Sequence, residues 1–303
     1  MEASLKEKKC RHKIGKKDLI LVFGETGQVS HELKNIDGVI NINRDMVNLE
    51  DSNACSEIIR SYKPYAVINA AAYTAVDDAE KNKNLAIQIN SNAPKAMANA
   101  CCIINIPFIH ISSDYVFDGS GHKPWKANSQ TSPLNVYGLS KLMGEKAIID
   151  SGAVYAIIRT SWVISSHGKN FIKTMMGLSK THKEIKVIND QIGGPTPAVE
   201  LAKVCTKIAK ELIIDPSKKG IYHYSGFPEV SWYELAKEIF NETKSKITIK
   251  PVSTHEYKTP ANRPLNSRLD CSKIYEVFGV MRPDWHKELK KIVSNYEKNY
   301  EKT

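Results

Sequence analysis

The chain has 303 residues, of which 42% are hydrophobic and 25% charged, so it can bury the core of one large α/β domain or of two unequal ones. No stretch approaches the roughly 20 apolar residues that a membrane-spanning helix requires, and residues 1–18 lack the apolar middle region of a secretory signal. We therefore expect no membrane association and a cytoplasmic protein.

The formal net charge is +10, and residues 1–17 contribute seven Lys or Arg against two Glu. We interpret these residues as a basic, solvated tail. A nucleic-acid partner would require a basic stripe with interleaved aromatic residues or a known reader motif, and the sequence has neither. The remaining positive charge fits an anionic small-molecule ligand.

The six cysteines form no CxxC pair and no Cys/His spacing typical of a metal site. The sequence also lacks an HExxH motif, an EF-hand loop and a carboxylate cluster with ligand spacing. We therefore expect free, mostly buried thiols and no metal.

The first predicted element is a buried parallel strand, the apolar run 19–23, which leads into the sequence GETGQVS. Gly24 and Gly27 fit a tight turn in which backbone N–H groups approach a pyrophosphate. Ser30 stands where such a turn usually has a third glycine, which permits close packing of helix on strand. We expect a short helix over 29–35 and a local change in packing at Ser30.

Strands and helices then alternate along the chain. Strands are predicted near 39–42, 65–69, 107–112 and 154–159, and helices near 52–62, 84–103 and 135–149. This alternation predicts an α/β fold, a Rossmann-like doubly wound parallel sheet whose ligand crevice lies at the carboxyl ends of the strands. Gly24, Ala70, Ser113 and Thr160 would share that edge.

Beyond residue 160 the alternation loosens. Helices are predicted near 171–179, 198–212, 231–240 and 285–300, with short strands between them. We interpret residues 18–160 as a dinucleotide-binding Rossmann domain. Residues 161–303 would form mainly a smaller, discontinuous C-terminal substrate-binding lobe that also returns elements to the sheet.

The strongest local signal is the pair Tyr137 and Lys141, whose i, i+4 spacing places them on one helix face. A nearby ammonium favours the phenolate and lowers the pKa of a tyrosine toward values useful for proton transfer. The spacing alone fits an ordinary amphipathic helix equally well. Ser113, at the end of a predicted strand, adds a hydroxyl that can orient a substrate carbonyl.

Together these motifs resemble the extended short-chain dehydrogenase/reductase family, whose catalytic set is Ser or Thr, Tyr and Lys. The segments AAAYTAVDDAE, SSDYVFDG, PLNVYGLSKLMGEKA, RTSWV, DQIGGPTPA and RPLNSRLD are similar to those of the dTDP-4-dehydrorhamnose reductases within it. The resemblance runs from residue 19 to the last predicted helix. It implies reduction of the 4-keto group of dTDP-4-dehydrorhamnose with NADPH or NADH, giving dTDP-L-rhamnose.

The resemblance also implies roles for individual residues. Tyr137 would protonate the alkoxide that forms at C4, Lys141 would lower the pKa of Tyr137 and hold the nicotinamide ribose, and Ser113 would hydrogen-bond the carbonyl. The residues implied to line the sugar pocket are Thr74, Val76, Asp114, Tyr115 and Trp162. Trp162 could equally be a core aromatic residue and Asp114 a loop cap.

For the cofactor, the implied binding residues besides Tyr137 and Lys141 are Gly24, Gly27, Gln28, Val29, Asn48, Leu49, Ala70, Ala71 and Ala72. Small residues at 70–72 could equally serve helix packing. Arg44, after the second strand, can pair with a 2′-phosphate and favours NADPH over NADH. Arg263 and Arg268 would either meet the nucleotide diphosphate or tie the two lobes together.

Two alternative functions remain open at this point. A non-catalytic, dinucleotide-binding regulatory subunit, like the β subunit of methionine adenosyltransferase, would share the fold, although the retained Ser, Tyr and Lys argue against it. Another nucleotide-sugar reductase, epimerase or dehydratase would share the family. The resemblance implies a dTDP-sugar as partner and allows a homodimer.

Overall fold

A computed structural model describes residues 19–300, so the predicted tail over 1–17 lies outside the described residues. The strands in this part of the chain are β1 (Ile20–Phe23), β2 (Val39–Ile42), β3 (Ala66–Asn69), β4 (Phe108–Ser113), β5 (Tyr155–Thr160), β6 (Val163–Ile164), β7 (Glu184–Ile188), β8 (Ile192–Gly193), β9 (Thr196–Pro197), β10 (Gly220–His223), β11 (Val230–Ser231), β12 (Thr248–Val252) and β13 (Asn266–Ser267).

The α-helices of the same residues are α1 (Gln28–Leu33), α2 (Ser52–Tyr62), α3 (Val76–Ala79), α4 (Lys83–Ile87), α5 (Ala93–Ile103), α6 (Val136–Asp150), α7 (Phe171–Thr181), α8 (Ala198–Ile214), α9 (Trp232–Glu242), α10 (Ser272–Phe278) and α11 (Trp285–Tyr300). A π-helical segment covers Gln88–Asn92, and 3₁₀ turns cover Asp114–Val116 and Pro216–Lys218.

The central sheet has six parallel strands in the order β2-β1-β3-β4-β5-β10. The strand order reverses at β1, and in such sheets ligands bind at the carboxyl ends beside the reversal. Phe23 lies opposite Asn69 and Ser113 opposite Thr160, so the predicted strand ends meet at one edge. The Rossmann-like doubly wound parallel sheet is thus confirmed, and β10 joins it from the second half of the chain.

The predicted elements, with one exception, end within two residues of observed ones, and the helices α3 and α10 were not predicted. The single helix predicted over 84–103 is wrong, because the chain forms α4, the π-helical segment and α5 instead. Within the π-helical segment, the Asn90 amide bonds both backbone groups of Tyr73 and the hydroxyl of Ser140. A π-helical bulge of this kind re-aims a side chain that a regular helix would turn elsewhere.

Both faces of the sheet are covered, which explains the continuous apolar runs of its strands. Because side chains alternate along a strand, Ile20 and Val22 enter one hydrophobic cluster while Leu21 and Phe23 enter the other. The first cluster packs against α1, α8 and α10, and the second against α2 and α5. A third cluster joins α7, α9 and α11 outside the sheet.

A polar belt lies between the sheet and α6. Glu145 on α6 forms two hydrogen bonds with Arg159 on β5, at 2.9 and 2.7 Å, and its carboxylate also accepts from the Ser112 hydroxyl on β4. All three side chains are at most 2% exposed. Bidentate geometry with a further hydrogen bond is the arrangement in which a buried ion pair is tolerated. This pair therefore fixes α6 on the sheet.

We predict that Glu145→Gln lowers the free energy of unfolding by about 3–5 kcal/mol, because it leaves the Arg159 guanidinium buried without a counter-charge. Urea unfolding followed by circular dichroism measures this loss. The control is Glu200→Gln, the same chemical change in the exposed pair with Lys203, which should cost under about 1 kcal/mol. Equal losses in the two variants would contradict the assignment.

Candidate active site

The structure brings the predicted Ser113 and Tyr137 together. Ser113 is the last residue of β4, and its hydroxyl accepts the backbone N–H of Tyr115 at 3.2 Å and donates to Asp114 Oδ1 at 3.1 Å. Tyr137 lies in the first turn of α6, where its phenol interacts with the Ser113 hydroxyl. The rings of Tyr115 and Tyr137 meet edge to face with centroids 5.4 Å apart.

The start of α6 is held in place by capping and close packing. The Asn135 side chain accepts the backbone N–H of Gly138 at 2.8 Å and donates to the carbonyl of Asn262 at 2.7 Å. A Cβ atom at Gly138 would lie 2.1 Å from the carbonyl oxygen of Tyr115. Only glycine therefore lets α6 approach the 3₁₀ turn closely enough to set Tyr137 beside Ser113.

Burial raises the pKa of Tyr137 to about 12, opposed by the Ser113 hydrogen bond and reinforced by the Asp114 carboxyl. The phenol is therefore protonated at neutral pH and suited to donate a proton. The predicted lowering of its pKa by Lys141 is not observed. The reason is that the Lys141 Nζ is bound elsewhere, at 2.7 Å from the carbonyl oxygen of Ile111 and 3.0 Å from His110 Nε2.

Lys141 is 1% exposed, and burial lowers its pKa to about 8 although Glu145 favours the charged form. His110 is equally buried, and burial together with the charge of Lys141 lowers its pKa well below the usual range. Its Nδ1 lies 3.1 Å from Asn69 Nδ2. Neither His110 nor Asn69 was predicted from the sequence, and the signal available was their place on the same face of neighbouring strands, Asn69 at the end of β3 and His110 opposite it on β4.

Two polar atoms at this edge lack a hydrogen-bond partner within the described residues, Asp114 Oδ2 and Thr160 Oγ1. Both residues are at most 5% exposed, and buried polar atoms are normally paired. Burial raises the pKa of Asp114 to about 6, while hydroxyls of Ser267 and Ser113 lower it. The edge thus presents an acceptor and a hydroxyl beside Ser113 that can pair with a polar ligand.

The glycine turn shows how Ser30 is accommodated. Gly24 has φ +113°, a conformation that favours glycine, and a Cβ there would lie 2.5 Å from Ser30 Oγ. Ser30 is fully buried, and its hydroxyl points to the carbonyl of Ala70 at 3.5 Å. Asn41 Nδ2 donates to the carbonyls of Gly24 and Ser30, at 2.7 and 3.0 Å. The serine is therefore a packing element of the turn.

The side chains of Val29 and Gln28, also predicted to belong to the pyrophosphate cradle, are engaged within the protein. Val29 is buried in the first cluster. The Gln28 side chain donates to the carbonyl of Val163 at 3.1 Å and accepts from Ser165 and Asn170, at 3.1 and 2.9 Å. Gln28 thus links the turn, which includes Gly27, to the second half of the chain.

At the end of β2, Arg44 has an exposed side chain that pairs with Glu50 at 3.3 Å. Asn48 Oδ1 accepts the Glu50 backbone N–H at 3.1 Å, and Leu49 packs against the second cluster. The pairing of Arg44 with Glu50 was not predicted from the sequence.

At the end of β3, the Ala70 N–H donates to the Phe23 carbonyl at 3.1 Å. The Ala71 N–H donates to Asn69 Oδ1 at 3.1 Å, and half-buried Ala72 follows.

Thr74 is exposed and Val76 begins α3, next to a latch between the two halves of the chain. The Asp77 carboxylate accepts two hydrogen bonds from Arg263, at 3.0 and 2.7 Å, and the Ala261 N–H at 3.1 Å. Arg263 thus makes the link between the two halves of the chain that is one of its two predicted roles. Arg268 bonds Asn266 Oδ1 at 3.1 Å.

Trp162 follows β5 with φ +48°, and its ring stacks on that of Trp232 at 3.5 Å. The Trp232 Nε1–H donates to Gln191 Oε1 at 3.1 Å. Trp162 is half-buried and packs against the third cluster, so part of its ring is a core aromatic, which is one of the two predicted roles. Trp162 lies two residues after Thr160, the last residue of β5.

Among residues 19–300, one group brings together three side chains able to bind a metal, His31, Glu32 and His167, with ligand atoms within 4.8 Å of one another. This group was not predicted from the sequence. The two imidazoles are stacked, with centroids 3.5 Å apart and planes at 18°. Since imidazole lone pairs lie in the ring plane, one ion cannot be in line with both rings as they stand.

Within the described part of the chain, every helix is too short or too polar to cross a membrane.

Comparison with known proteins agrees with this geometry. Residues 18–298 match the family model described as RmlD substrate binding domain. A dTDP-4-dehydrorhamnose reductase of Escherichia coli K12 is 39% identical over 291 residues, covering 91% of this chain and 97% of the relative. A crystal structure of such a reductase from Clostridium acetobutylicum superposes with a TM-score of 0.85 at 34% identity, covering 92% of this chain and 99% of that one.

A second crystal structure, a dTDP-4-dehydrorhamnose reductase from Bacillus anthracis in complex with NADP, has a TM-score of 0.84 at 31% identity and covers 91% of this chain and 98% of that one. Family model, relatives and structures agree over nearly the whole described chain. The protein therefore belongs to the dTDP-4-dehydrorhamnose reductase family.

Proposed function

We propose that the protein reduces the 4-keto group of dTDP-4-dehydrorhamnose to dTDP-L-rhamnose, with NADPH or NADH as reductant. The observation that carries this proposal is that Tyr137 lies beside Ser113 at the carboxyl edge of the sheet, with Lys141 one turn further along α6, in a chain of the reductase family. Retention of this set argues against the non-catalytic regulatory alternative.

The cofactor-binding residues would be those around the glycine turn and the strand ends. The left-handed Gly24 and the small side chains of Ala70, Ala71 and Ala72 let a dinucleotide approach the backbone. Arg44 would reach the 2′-phosphate. When bound, the reduced nicotinamide supplies a hydride to C4 of the sugar.

The side chains handle the proton and the orientation. Tyr137 holds its phenolic proton at neutral pH and would donate it to the C4 oxygen as negative charge forms there. Ser113 would hydrogen-bond the same oxygen and fix the carbonyl. The unpaired oxygens of Asp114 and Thr160 would pair with sugar hydroxyls. Lys141 would hold the nicotinamide ribose.

The finer parts of the proposal have separate support. Residues 18–160 would bind the dinucleotide and 161–303 mainly the sugar nucleotide, and the third cluster gives the second part a core of its own. All five cysteines in the described residues are free thiols, which suits a reducing cytoplasm. The homodimer stays a prediction from the family resemblance.

The first test supplies the keto sugar from an upstream dehydratase and epimerase and follows NADPH by its absorbance. We expect NADPH oxidation only when the dTDP-4-keto sugar is present. Cofactor binding without turnover would overturn the reductase function and favour the regulatory one. Turnover of a different nucleotide sugar in preference would assign the protein to the second alternative.

Tyr137→Phe should keep cofactor binding and lower kcat roughly 10²–10⁴-fold, because general-acid catalysis is worth about that much. Steady-state kinetics and a binding titration measure the two quantities. Tyr155→Phe is the matched control, since Tyr155 begins β5 at the opposite edge of the sheet, and it should keep the wild-type rate. An undiminished rate in Tyr137→Phe would remove Tyr137 from the mechanism.

Arg44→Ala tests the cofactor preference. A charge-assisted hydrogen bond to the 2′-phosphate is worth about 1.5–3 kcal/mol, so KM for NADPH should rise about tenfold or more while KM for NADH stays unchanged. Arg60→Ala, in the last turn of α2, should change neither value. A parallel rise for both cofactors would show that Arg44 does not contact the phosphate.

A further inference from the structure

Lys141 is one end of a series of buried groups that are joined by hydrogen bonds. Lys141, His110, Asn69 and the backbone N–H of Ala71 follow one another at 3.0, 3.1 and 3.1 Å. The three side chains are each 1% exposed. Water does not reach them, so each donor and acceptor must find its partner within the chain.

The hydrogen-bond donors fix where the imidazole proton lies. The Ala71 N–H can only donate, so Asn69 turns its Oδ1 toward Ala71 and its Nδ2 toward His110. Nδ1 of His110 must then accept, and the single proton of the neutral ring is on Nε2. That N–H points at the Lys141 Nζ, which can accept it only as a neutral amine.

A charged Lys141 requires the opposite arrangement. An ammonium has three donors and no acceptor, so it must donate to Nε2, and the ring proton is then on Nδ1. Asn69 turns its amide over to accept that proton, and its Nδ2 then faces the Ala71 N–H, which loses its acceptor. The two arrangements differ by one proton taken from water, and the imidazole stays neutral in both.

We propose that His110 is a positioning residue whose tautomer couples the charge of Lys141 to the hydrogen bond between Asn69 and the backbone of Ala71. Ala71 lies in the segment assigned to the cofactor, so this role rests on the proposed function. The ammonium form frees the Ala71 N–H and offers the nicotinamide ribose a cationic donor. Cofactor binding and protonation of Lys141 are therefore linked.

Other titratable or charged groups surround the pair. Tyr137 and Glu145 lie one turn before and one turn after Lys141 on α6, Asp114 acts on Tyr137 from the 3₁₀ turn after β4, and the charge of Arg159 on β5 is bound by Glu145. Tyr137 stays protonated, because burial raises its pKa to about 12. The pKa of Lys141, about 8, therefore sets the pH at which the arrangements exchange. The charged arrangement prevails below that pH and the neutral one above it.

Nitrogen NMR of the free protein, labelled with ¹⁵N-histidine, tests the coupling directly. The His110 signals, assigned with His110→Gln, should show the proton on Nδ1 at pH 6.5 and on Nε2 at pH 9.5, with a midpoint near 8. His223 is the internal control, because its Nδ1 lies 2.9 Å from the carbonyl of Trp125 and should carry the proton throughout. In Lys141→Met, His110 should keep its proton on Nε2 at every pH.

One tautomer of His110 throughout the wild-type titration would overturn the proposal, and so would a change that persists in Lys141→Met. The His223 signals report whether that variant is folded. A second readout is NADPH affinity, which should weaken about tenfold per pH unit above 8 in the wild type, since a tenfold change in protonated fraction follows each unit. Lys141→Met should lose this slope. The NMR result needs no turnover, so it stands or falls independently of the proposed reaction.

Discussion

The ion pair between Glu145 and Arg159 is the interaction on which the site depends. It joins α6 to β5 from inside the protein, where neither partner can be removed without leaving a buried charge. The same helix carries Lys141 one turn and Tyr137 two turns before Glu145, and the pair therefore determines how far these side chains stand from the strand ends. Ser112 and His110 on β4 meet the helix from below.

The site is polar beneath its surface, which is unusual for the face of a sheet. Asn69, His110, Ser112 and Arg159 occupy the positions where the strands would otherwise continue the second hydrophobic cluster. Each finds a partner, so the cost of burial is offset by hydrogen bonds. The result is a rigid support in which the charge of one residue is felt by the next.

Much of this arrangement could be predicted from the sequence. Buried parallel strands are apolar along their whole length, so the strand at 19–23 and the later strands of the sheet could be predicted. The four-residue spacing of Tyr137 and Lys141 likewise places both residues on one helix face. The π-helical segment could not be predicted, because it depends on contacts of Asn90 with residues 17 and 50 positions away. The hydrogen bond between His110 and Asn69 could not be predicted either, because it depends on the pairing of β3 with β4.

Several other side-chain contacts were equally hidden. Glu50 beside Arg44, Trp232 on Trp162 and Asp77 on Arg263 are determined by packing and leave no periodic pattern in the sequence. The prediction that Lys141 lowers the pKa of Tyr137 was wrong for a related reason. Helical spacing predicts that two side chains are neighbours, but competing partners at Ile111 and His110 decide where the ammonium goes.

The place of β10 in the sheet has a consequence for synthesis on the ribosome. Until α8 and later α10 have emerged, one face of the sheet exposes apolar side chains, and until residue 223 has emerged, β5 is an edge strand with unpaired backbone groups. The nascent first half therefore exposes apolar surface and an unpaired strand edge, which are features that chaperones bind in folding intermediates. A chain that ended within residues 161–197 would lack both α8 and β10, and would therefore expose the apolar face of the sheet together with the edge of β5.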